Sequence, residues 1–535
     1  MICVAAIAVL CWRMLHGIDF TDEAFYIALP LRFALGDRPF VDELNIAQTA
    51  GLLLYPFIKA YLWIAGGTTG IVLFIRALYV VVFGLVGWSA YALARRCIPR
   101  PAALLCGAMC MLVLPHGIPG LSYNTLSMAL MTSGLFVIAR ALLFGEPPRR
   151  WWRHPLLWAG FAHGAATFAY PSQLVTTAAT AIAVCALARG QRVRAVAMYA
   201  AGGLAFVALI SPLFVRAGLR NLRIELAYQA GAGDAFSLPV AWARFQELLE
   251  LHPQLPRALI AIVAVIVIAR WLPLLAACGA VAIPLLARGS DQGGHLASMA
   301  YLTCFALFGP VLAAVIRERR VARVLEFAVI VPAMVSGAVI CLSSSNRAYA
   351  AGIGLYPAAI TTAILLVMFI VQTAARSGWR ALHPYLALAP AAAMWALLAC
   401  LVSDGGYYRD GPGSELTERV TSGPYRGLYT TPAKAEILRD LTSDIESYVQ
   451  GPRALFLYDL PAGYLIAMRR PLVSSVWTFA IGTRHDQDVR LFKKWAKPGE
   501  LVILDTPPWV TLETMAAERS DLLVIRPWYR VYRIR

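Results

Sequence analysis

Charge is scarce in this chain. Asp, Glu, Lys and Arg make up only 14% of its 535 residues, and 59% are hydrophobic. A soluble domain is about a quarter charged, so a soluble fold of this length is excluded. Cysteine chemistry is missing too. Of the ten cysteines, Cys3, Cys11, Cys106, Cys110, Cys185, Cys278, Cys304, Cys341 and Cys400 lie inside apolar runs, and Cys97 sits in a basic loop. No CxxC metal pattern or disulfide framework appears, so these read as small packing residues.

What is present is hydrocarbon-like sequence. The mean hydropathy is +0.65, and apolar stretches near or above about 18 residues recur, which identifies a polytopic α-helical membrane protein. The formal net charge of +17 does not point to nucleic acid, because the basic residues sit in short clusters between apolar runs. These clusters are Arg95-Arg96 to Arg100, Arg149 to Arg153, Arg189 to Arg194, Arg270, Arg317 to Arg320, and Arg376 with Arg380. Placing them all in the cytoplasm orients about 11–13 spans. The spans are expected over 1–15, 71–94, 102–115, 124–143, 156–170, 173–188, 196–215, 256–269, 272–287, 295–316, 324–342, 350–374 and 384–402. The acidic loop 16–70 and the tail from Asp404 then fall together on the outer side.

Three segments need separate treatment. Residues 1–15 cover about 22 Å at helical rise, short of a hydrocarbon core of about 30 Å. They lack a basic n-region and a cleavage site, which favours a start placed too late over a cleaved signal peptide. The apolar stretch 50–66 is interrupted by Pro56 and Lys59, and reads as a re-entrant or interfacial helix. Residues 216–252 form the longest outer loop between spans.

The division is a membrane domain, 1–403, and an outer soluble domain, 404–535. In the latter, Pro432 to Gln450 reads as a helix, and 454–459, 501–505, 521–525 and 529–534 as strands, giving a small α/β domain. It has no Gly-rich phosphate loop, no HExxH and no Ser-His-Asp arrangement, so it reads as carbohydrate-facing or structural.

The loop 16–70 holds the chemistry. Asp22, Glu23, Asp42 and Glu43 crowd beside hydrocarbon, where uncompensated charge is expensive and usually functional. On a helix Asp19, Asp22, Glu23 and Tyr26 would share one face. Thr21 as an N-cap, with acids in the first helical turn, would explain Asp22 and Glu23 without chemistry. It would not explain Asp42 and Glu43. Gln48, Lys59 on the interfacial helix and Arg76 at the next helix mouth complete this loop. Two other outer segments face the same way: His116 to Asn124, a Gly/Pro-rich turn closing on Tyr123 and Asn124, and Ser343 to Tyr349, which carries Asn346 and Arg347. Helix-end snorkelling and turn chemistry would account for each alone.

Asp22-Glu23-Ala24-Phe25-Tyr26, Gly36-Asp37-Arg38-Pro39-Phe40 and Arg76 together resemble the first outer loop of the C-type glycosyltransferase superfamily (GT-C). The resemblance is to the bacterial branch related to protein O-mannosyltransferases and the lipid A aminoarabinose transferase. It covers the spans through about residue 145 best, with Leu121 to Leu126 and Gly423 to Thr431 also similar. The chain departs from it at Ala24, where the family usually has Gly, and at Gln48-Thr49-Ala50, where better-known members have Lys-Pro-Pro or Gln-Pro-Pro.

The resemblance implies a GT-C-like membrane enzyme of the bacterial cytoplasmic (inner) membrane, with its C-terminal domain outside. It would take a sugar from a polyprenyl-phosphate donor to a lipid, glycan or protein acceptor. Asp22 would be the base and Glu23 would orient it. Tyr26, Asp42, Glu43, Gln48, Lys59, Arg76, His116, Tyr123, Asn124, Asn346 and Arg347 are the substrate-binding candidates. Among them Lys59, Arg76 and Arg347 would steady the leaving phosphate. A divalent metal, Mg or Mn, shared by Asp22, Glu23 and Asp42 is open, since hard cations favour clustered carboxylates. Apart from this donor and acceptor, the expected partners are membrane lipids, and nucleic acid is not among them. The alternative class is a polytopic transporter or lipid-linked sugar flippase, which calls for ionisable groups in mid-span.

Overall fold

The computed structural model describes residues 2–45, 47–145, 150–188, 190–230, 238–286, 297–344, 346–376, 383–404, 407–457, 460–473, 475–477, 492–493, 496–505 and 519–535. Arg149, Arg189, Arg380 and the end of the strand expected over 454–459 lie outside the described residues.

The chain opens with α1 (Ile2–Met14), α2 (Asp22–Ala34), α3 (Gln48–Ala65), α4 (Ile71–Ala94), α5 (Arg100–Met109) and α6 (Tyr123–Phe144). It continues through α7 (Pro155–Ala169), α8 (Leu174–Leu187), α9 (Arg192–Ala230), α10 (Leu238–Glu250), α11 (Leu255–Ile268) and α12 (Pro273–Leu286). The last part of the bundle is α13 (Ala297–Ala306), α14 (Gly309–Val315), α15 (Arg319–Leu325), α16 (Val331–Ser343), α17 (Ala351–Arg376) and α18 (His383–Asp404). Among the described residues, six helical stretches are long and apolar enough to cross a membrane, or seven if the bent pair α10–α11 counts as one. Shorter apolar helices accompany them at Val4–Met14, Arg100–Leu112, Pro171–Leu187 and Leu388–Cys400. The protein is thus a multi-pass helical membrane protein.

The expected spans and the observed helices agree closely at α4, α6, α7 and α17, where apolar runs end at charged or Gly/Pro loops. The span expected over 295–316 is present as Ser298–Val315, with α13 and α14 meeting ahead of Gly309-Pro310. One expectation needed revision. Part of the loop over 216–252 is helical: α9 runs on to Ala230 after turning at Gly218 (φ 77°), and α10 follows. The interrupted stretch at 50–66 is the helix α3, which is not among the membrane-crossing candidates. It buries Gly51, Leu54 and Ile58 and exposes Phe57, Lys59, Trp63 and Ile64.

Close packing inside the bundle depends on residues without side chains. At the crossing of α7 and α9, a Cβ on Gly160 would lie 1.9 Å from the Tyr199 carbonyl oxygen, and one on Gly202 would lie 1.9 Å from that of Leu157. Small residues permit such backbone approach where no hydrophobic force pushes helices together.

The tail folds into a two-stranded ribbon, β1 (Glu418–Arg419) with β2 (Tyr429–Thr430), then α19 (Pro432–Tyr448), β3 (Arg453–Phe456), α20 (Ala462–Ala467), β4 (Arg470–Pro471), β5 (Leu501–Asp505), β6 (Ser520–Ile525) and β7 (Tyr529–Ile534). A mixed five-stranded sheet runs in the order β4-β3-β5-β7-β6, parallel across β4-β3-β5 and antiparallel beyond. Helix α19 starts at Thr431, whose hydroxyl accepts from the Lys434 amide, with Pro432 at the first position,. It buries Ala435, Leu438, Leu441 and Ile445 along one stripe,.

This domain is stitched to the first loop by backbone pairing. Gly17 N–H donates to Tyr429 O (2.9 Å), Tyr429 N–H to Leu15 O (2.8 Å), Ala462 N–H to Phe20 O (3.0 Å) and Gly70 N–H to Gly423 O (3.0 Å). Loop amides that would otherwise be buried without partners are satisfied this way.

Candidate active site

The site begins at the start of α2. Its cap is Asp19 and not Thr21, whose side chain makes no capping bond. Asp19 Oδ2 accepts from the Glu23 amide at 2.8 Å, while Oδ1 accepts from the Thr21 amide and hydroxyl at 3.0 and 2.7 Å. Asx geometry of this kind fixes where the first helical turn points. Tyr425 Oη donates to the Asp19 carbonyl (3.1 Å), so the C-terminal domain helps hold that turn.

Glu23 and Arg76 are locked together. Arg76 Nε and Nη2 each lie 2.7 Å from a Glu23 carboxylate oxygen, and both side chains are 2% exposed. The other Arg76 hydrogens go to the carbonyls of Met14 (2.6 Å) and Gly17 (2.7 Å). Its donors are spent on the loop. Arg76 therefore serves as the buried counter-ion of Glu23, and the expectation that it grips a phosphate is corrected on that ground.

Asp42 and Glu43 have a similar explanation. Arg32, 1% exposed on α2, bonds Glu43 Oε2 at 2.5 Å, Asp37 Oδ2 at 2.8 Å and the Asp42 carbonyl at 2.8 Å. Asp42 itself accepts from the Arg38 amide (2.7 Å) and pairs with its guanidinium (3.2 Å). Gln48 is fully buried, accepting from the Phe40 amide (2.7 Å) and donating to the Glu43 carbonyl (3.0 Å). Asp42, Glu43 and Gln48 thus shape the loop around Arg32, a correction to their expected place in the substrate site. Asp22, Glu23 and Asp42 do not converge as a ligand set, and among the described residues no group of three or more His, Cys, Asp or Glu could hold a metal ion.

Asp22 has a different setting. Its Oδ2 accepts from the Tyr408 hydroxyl at 2.5 Å, across 386 residues of sequence. Burial, then the Asp22 charge, raise the Tyr408 phenol above its ordinary range, so it stays a donor. Burial, then Tyr123 and Asp22, do the same to Tyr26. The rings of Tyr26 and Tyr123 meet edge-on at 5.6 Å, and Tyr123 and Tyr170 lie 5.4 Å apart. Asn124 is buried beside Tyr123, and the Tyr170 hydroxyl lies near Ser343 and Ser344. Ser344 accepts from the amides of Arg347 (3.1 Å, to its carbonyl) and Asn346 (3.1 Å, to its hydroxyl). A line of phenols, Tyr26, Tyr123 and Tyr170, thus leads from beside Asp22 toward the turn that carries the exposed Arg347.

Of the expected site residues, Asp22, Tyr26, Tyr123 and Asn124 lie along this line, and Asn346 and Arg347 approach it through their backbone amides at Ser344. Lys59 is elsewhere, exposed on α3 with its ammonium 5.6 Å from the Tyr55 ring. His116, in a left-handed turn (φ 54°), is half-buried near Arg13, which donates to the Gly117 carbonyl at 2.8 Å. Sequence reasoning missed Tyr408, Tyr170 and the cap Asp19. The run Tyr407-Tyr408-Arg409-Asp410 just after the last span was the available signal. Asp410 accepts from the Ile18 amide (2.7 Å) and the Thr430 hydroxyl (2.7 Å), and this fixes Tyr408 over α2.

No family model matches the chain, and no curated protein matches it. Its structure is similar to that of the archaeal oligosaccharyltransferase AglB from Archaeoglobus fulgidus, solved with an inhibitory peptide and a dolichol-phosphate (TM-score 0.48, 13% identity, covering 94% of this chain and 69% of that one). It is also similar to ArnT from Cupriavidus metallidurans bound to undecaprenyl phosphate (TM-score 0.43, 14% identity, covering 99% and 97%). Likeness at this level carries no inference about reaction, donor or site residues.

Proposed function

We propose that this protein is an integral membrane glycosyltransferase. It moves a sugar from a polyprenyl-phosphate-linked donor to a lipid, glycan or protein acceptor on the outer face of the bacterial inner membrane. The observation that carries this reading is the placement of Asp22. It sits at the capped start of α2, bonded to Tyr408, beside a line of phenols, Tyr26, Tyr123 and Tyr170, that leads toward the turn carrying Arg347. The resemblance of the first loop to the GT-C superfamily points the same way.

Each step has a candidate group. Asp22 takes the proton of an acceptor hydroxyl as that oxygen bonds to the anomeric carbon of the donor sugar. The bond from that carbon to the phosphate oxygen breaks, and the polyprenyl phosphate leaves with both electrons. Tyr26, Tyr123 and Asn124 offer hydroxyl and amide partners to sugar. Arg347 supplies a cation for the departing phosphate, since charge-assisted bonds hold such groups best. Glu23 acts as a positioning residue, through Arg76 and through its amide bond to Asp19.

The transporter reading would draw on ionisable groups buried in helices, such as His163 on α7. Its Nε2 faces the Met131 carbonyl (3.1 Å) and its Nδ1 faces the Tyr199 hydroxyl (2.6 Å), so both nitrogens are satisfied within the core. That is a packing role.

Membranes carrying the protein, given labelled sugars on a panel of polyprenyl phosphates, should convert one donor into covalently labelled acceptor. Movement of the intact lipid-linked sugar across the bilayer, with no covalent transfer from any donor, would replace the enzyme with a flippase.

A further inference from the structure

A cleft of about 830 Å³ lies between the loop that follows α2 and the C-terminal domain, toward the opposite end of α2 from Asp22. Arg38, Val41 and Asp42 form one wall, and Gln450 to Arg453, Arg470 and Lys497 to Glu500 form the other. Four cations, Arg38, Arg453, Arg470 and Lys497, face two carboxylates, Asp42 and Glu500.

Arg38 is paired with Asp42 (3.2 Å), whereas Arg453 and Arg470 share a carboxylate. Asp37 serves three guanidiniums at once: Arg32 at 2.8 Å, Arg453 at 3.3 Å and Arg470 at 3.7 Å. Charge-assisted N–H···O bonds run at about 2.7–2.9 Å, so only Arg32 is fully paired. Arg453 spends one further donor on the Pro471 carbonyl and keeps others out of its five,. Arg453 and Arg470 open the neighbouring parallel strands β3 and β4, in register with each other, so both guanidiniums reach one edge of the sheet. Glu500 is folded back onto the Lys497 amide (2.9 Å), and burial pushes its carboxyl upward against the pull of Arg453 and Lys497. Lys497 adds an ammonium from the adjoining turn.

We propose that this cleft binds an anionic group, a phosphate or a carboxylate, carried by the acceptor. The assignment to the acceptor rests on the glycosyltransferase reading above, whereas the anion site itself does not. Along α2 the span from Asp22 to Arg32 is about 15 Å. The cleft would therefore grip an acceptor at a point well away from its reacting hydroxyl. A neutral glycan or peptide would leave these guanidiniums unmatched, and an anionic saccharide matches them.

The test is binding of glucose 6-phosphate, glucuronate and glucose to the full chain in nanodiscs, followed by ligand-observed NMR. The phosphate or the carboxylate probe should bind at least tenfold more tightly than glucose, and which one does so identifies the anion. Binding should weaken tenfold or more in Arg453→Gln/Arg470→Gln. Because those arginines also contact Asp37, Lys497→Gln and Arg38→Gln serve as variants outside that cluster, each expected to weaken binding several-fold. Asp22→Asn should bind the probe normally. Equal binding of all three probes, or unchanged binding in all the cleft variants, overturns the anion site whatever the transfer activity proves to be. Anion binding that survives while Asp22→Asn transfers sugar normally overturns the base assignment and not the cleft.

Discussion

Arg76 offers a sharp test of the division between structural and reacting charges. In Arg76→Gln the buried Glu23 carboxylate, 2% exposed, loses both of its 2.7 Å partners. Leaving one member of a buried pair uncompensated costs about 3–5 kcal/mol. The carbonyls of Met14 and Gly17 lose their donor as well, at about 1–3 kcal/mol each where no water replaces it,. The expected result is a protein that unfolds at much lower temperature in detergent, with activity falling in step with the folded fraction. Glu23→Gln should be destabilised too. Combining it with Arg76→Gln should cost less than the sum of the singles, because the double variant leaves no unpaired charge. Thermal unfolding of the three variants, read by tryptophan fluorescence, measures the coupling. If Arg76→Gln melts like the parent and instead loses donor affinity, the guanidinium contacts substrate and the structural reading fails.

Three further outcomes follow from particular contacts. Tyr408→Phe removes a hydrogen bond to the ionised form of Asp22, so the acid limb of the pH–rate profile should move upward, and an unmoved limb would disconnect Tyr408 from the base. In the C-terminal domain, burial alone would raise the Asp444 carboxyl, but bonds from Arg526 (2.9 Å) and Tyr529 (2.8 Å) hold it below the usual carboxylate range. A depressed folded value means this stabilisation is present above about pH 4 and is lost as pH falls through the folded value. Asp444→Asn should lower stability at pH 7 by about 1–3 kcal/mol and flatten the acid limb of the stability curve, checked by unfolding across pH 3–7. Gly202→Leu should separate α7 from α9, where even a Cβ would meet the Leu157 carbonyl at 1.9 Å, and retained yield and melting temperature would show that this crossing is not close-packed.

Much of the fold was legible because hydrocarbon imposes its length on the sequence. The limits of α4 and α6 could be read within a residue or so, and the strands at 501–505 and 529–534 declared themselves by short β-rich runs. Irregular elements hid themselves. Nothing local announces that α9 continues past Gly218. At the site, the sequence marked the acidic loop but not the allocation of its charges. Glu23 pairs with an arginine 53 positions away and Asp22 with a tyrosine 386 positions away. Asp42 and Glu43 looked like site residues because Arg32, the charge they and Asp37 surround, is hidden in an apolar helix. Long-range pairing of this kind has no periodicity to read.

The central claim is that Asp22 removes the acceptor proton, and Asp22→Asn tests it most directly. The amide keeps the shape and can still accept the Tyr408 hydrogen bond, and the cap of α2 is Asp19, so the fold should survive. It cannot take a proton at neutral pH. Turnover measured with the donor that the panel identifies, on protein of parental melting temperature, should fall by roughly 10²–10⁴-fold, the usual worth of a general base. Near-normal turnover in that variant would contradict the account and remove Asp22 from the chemistry.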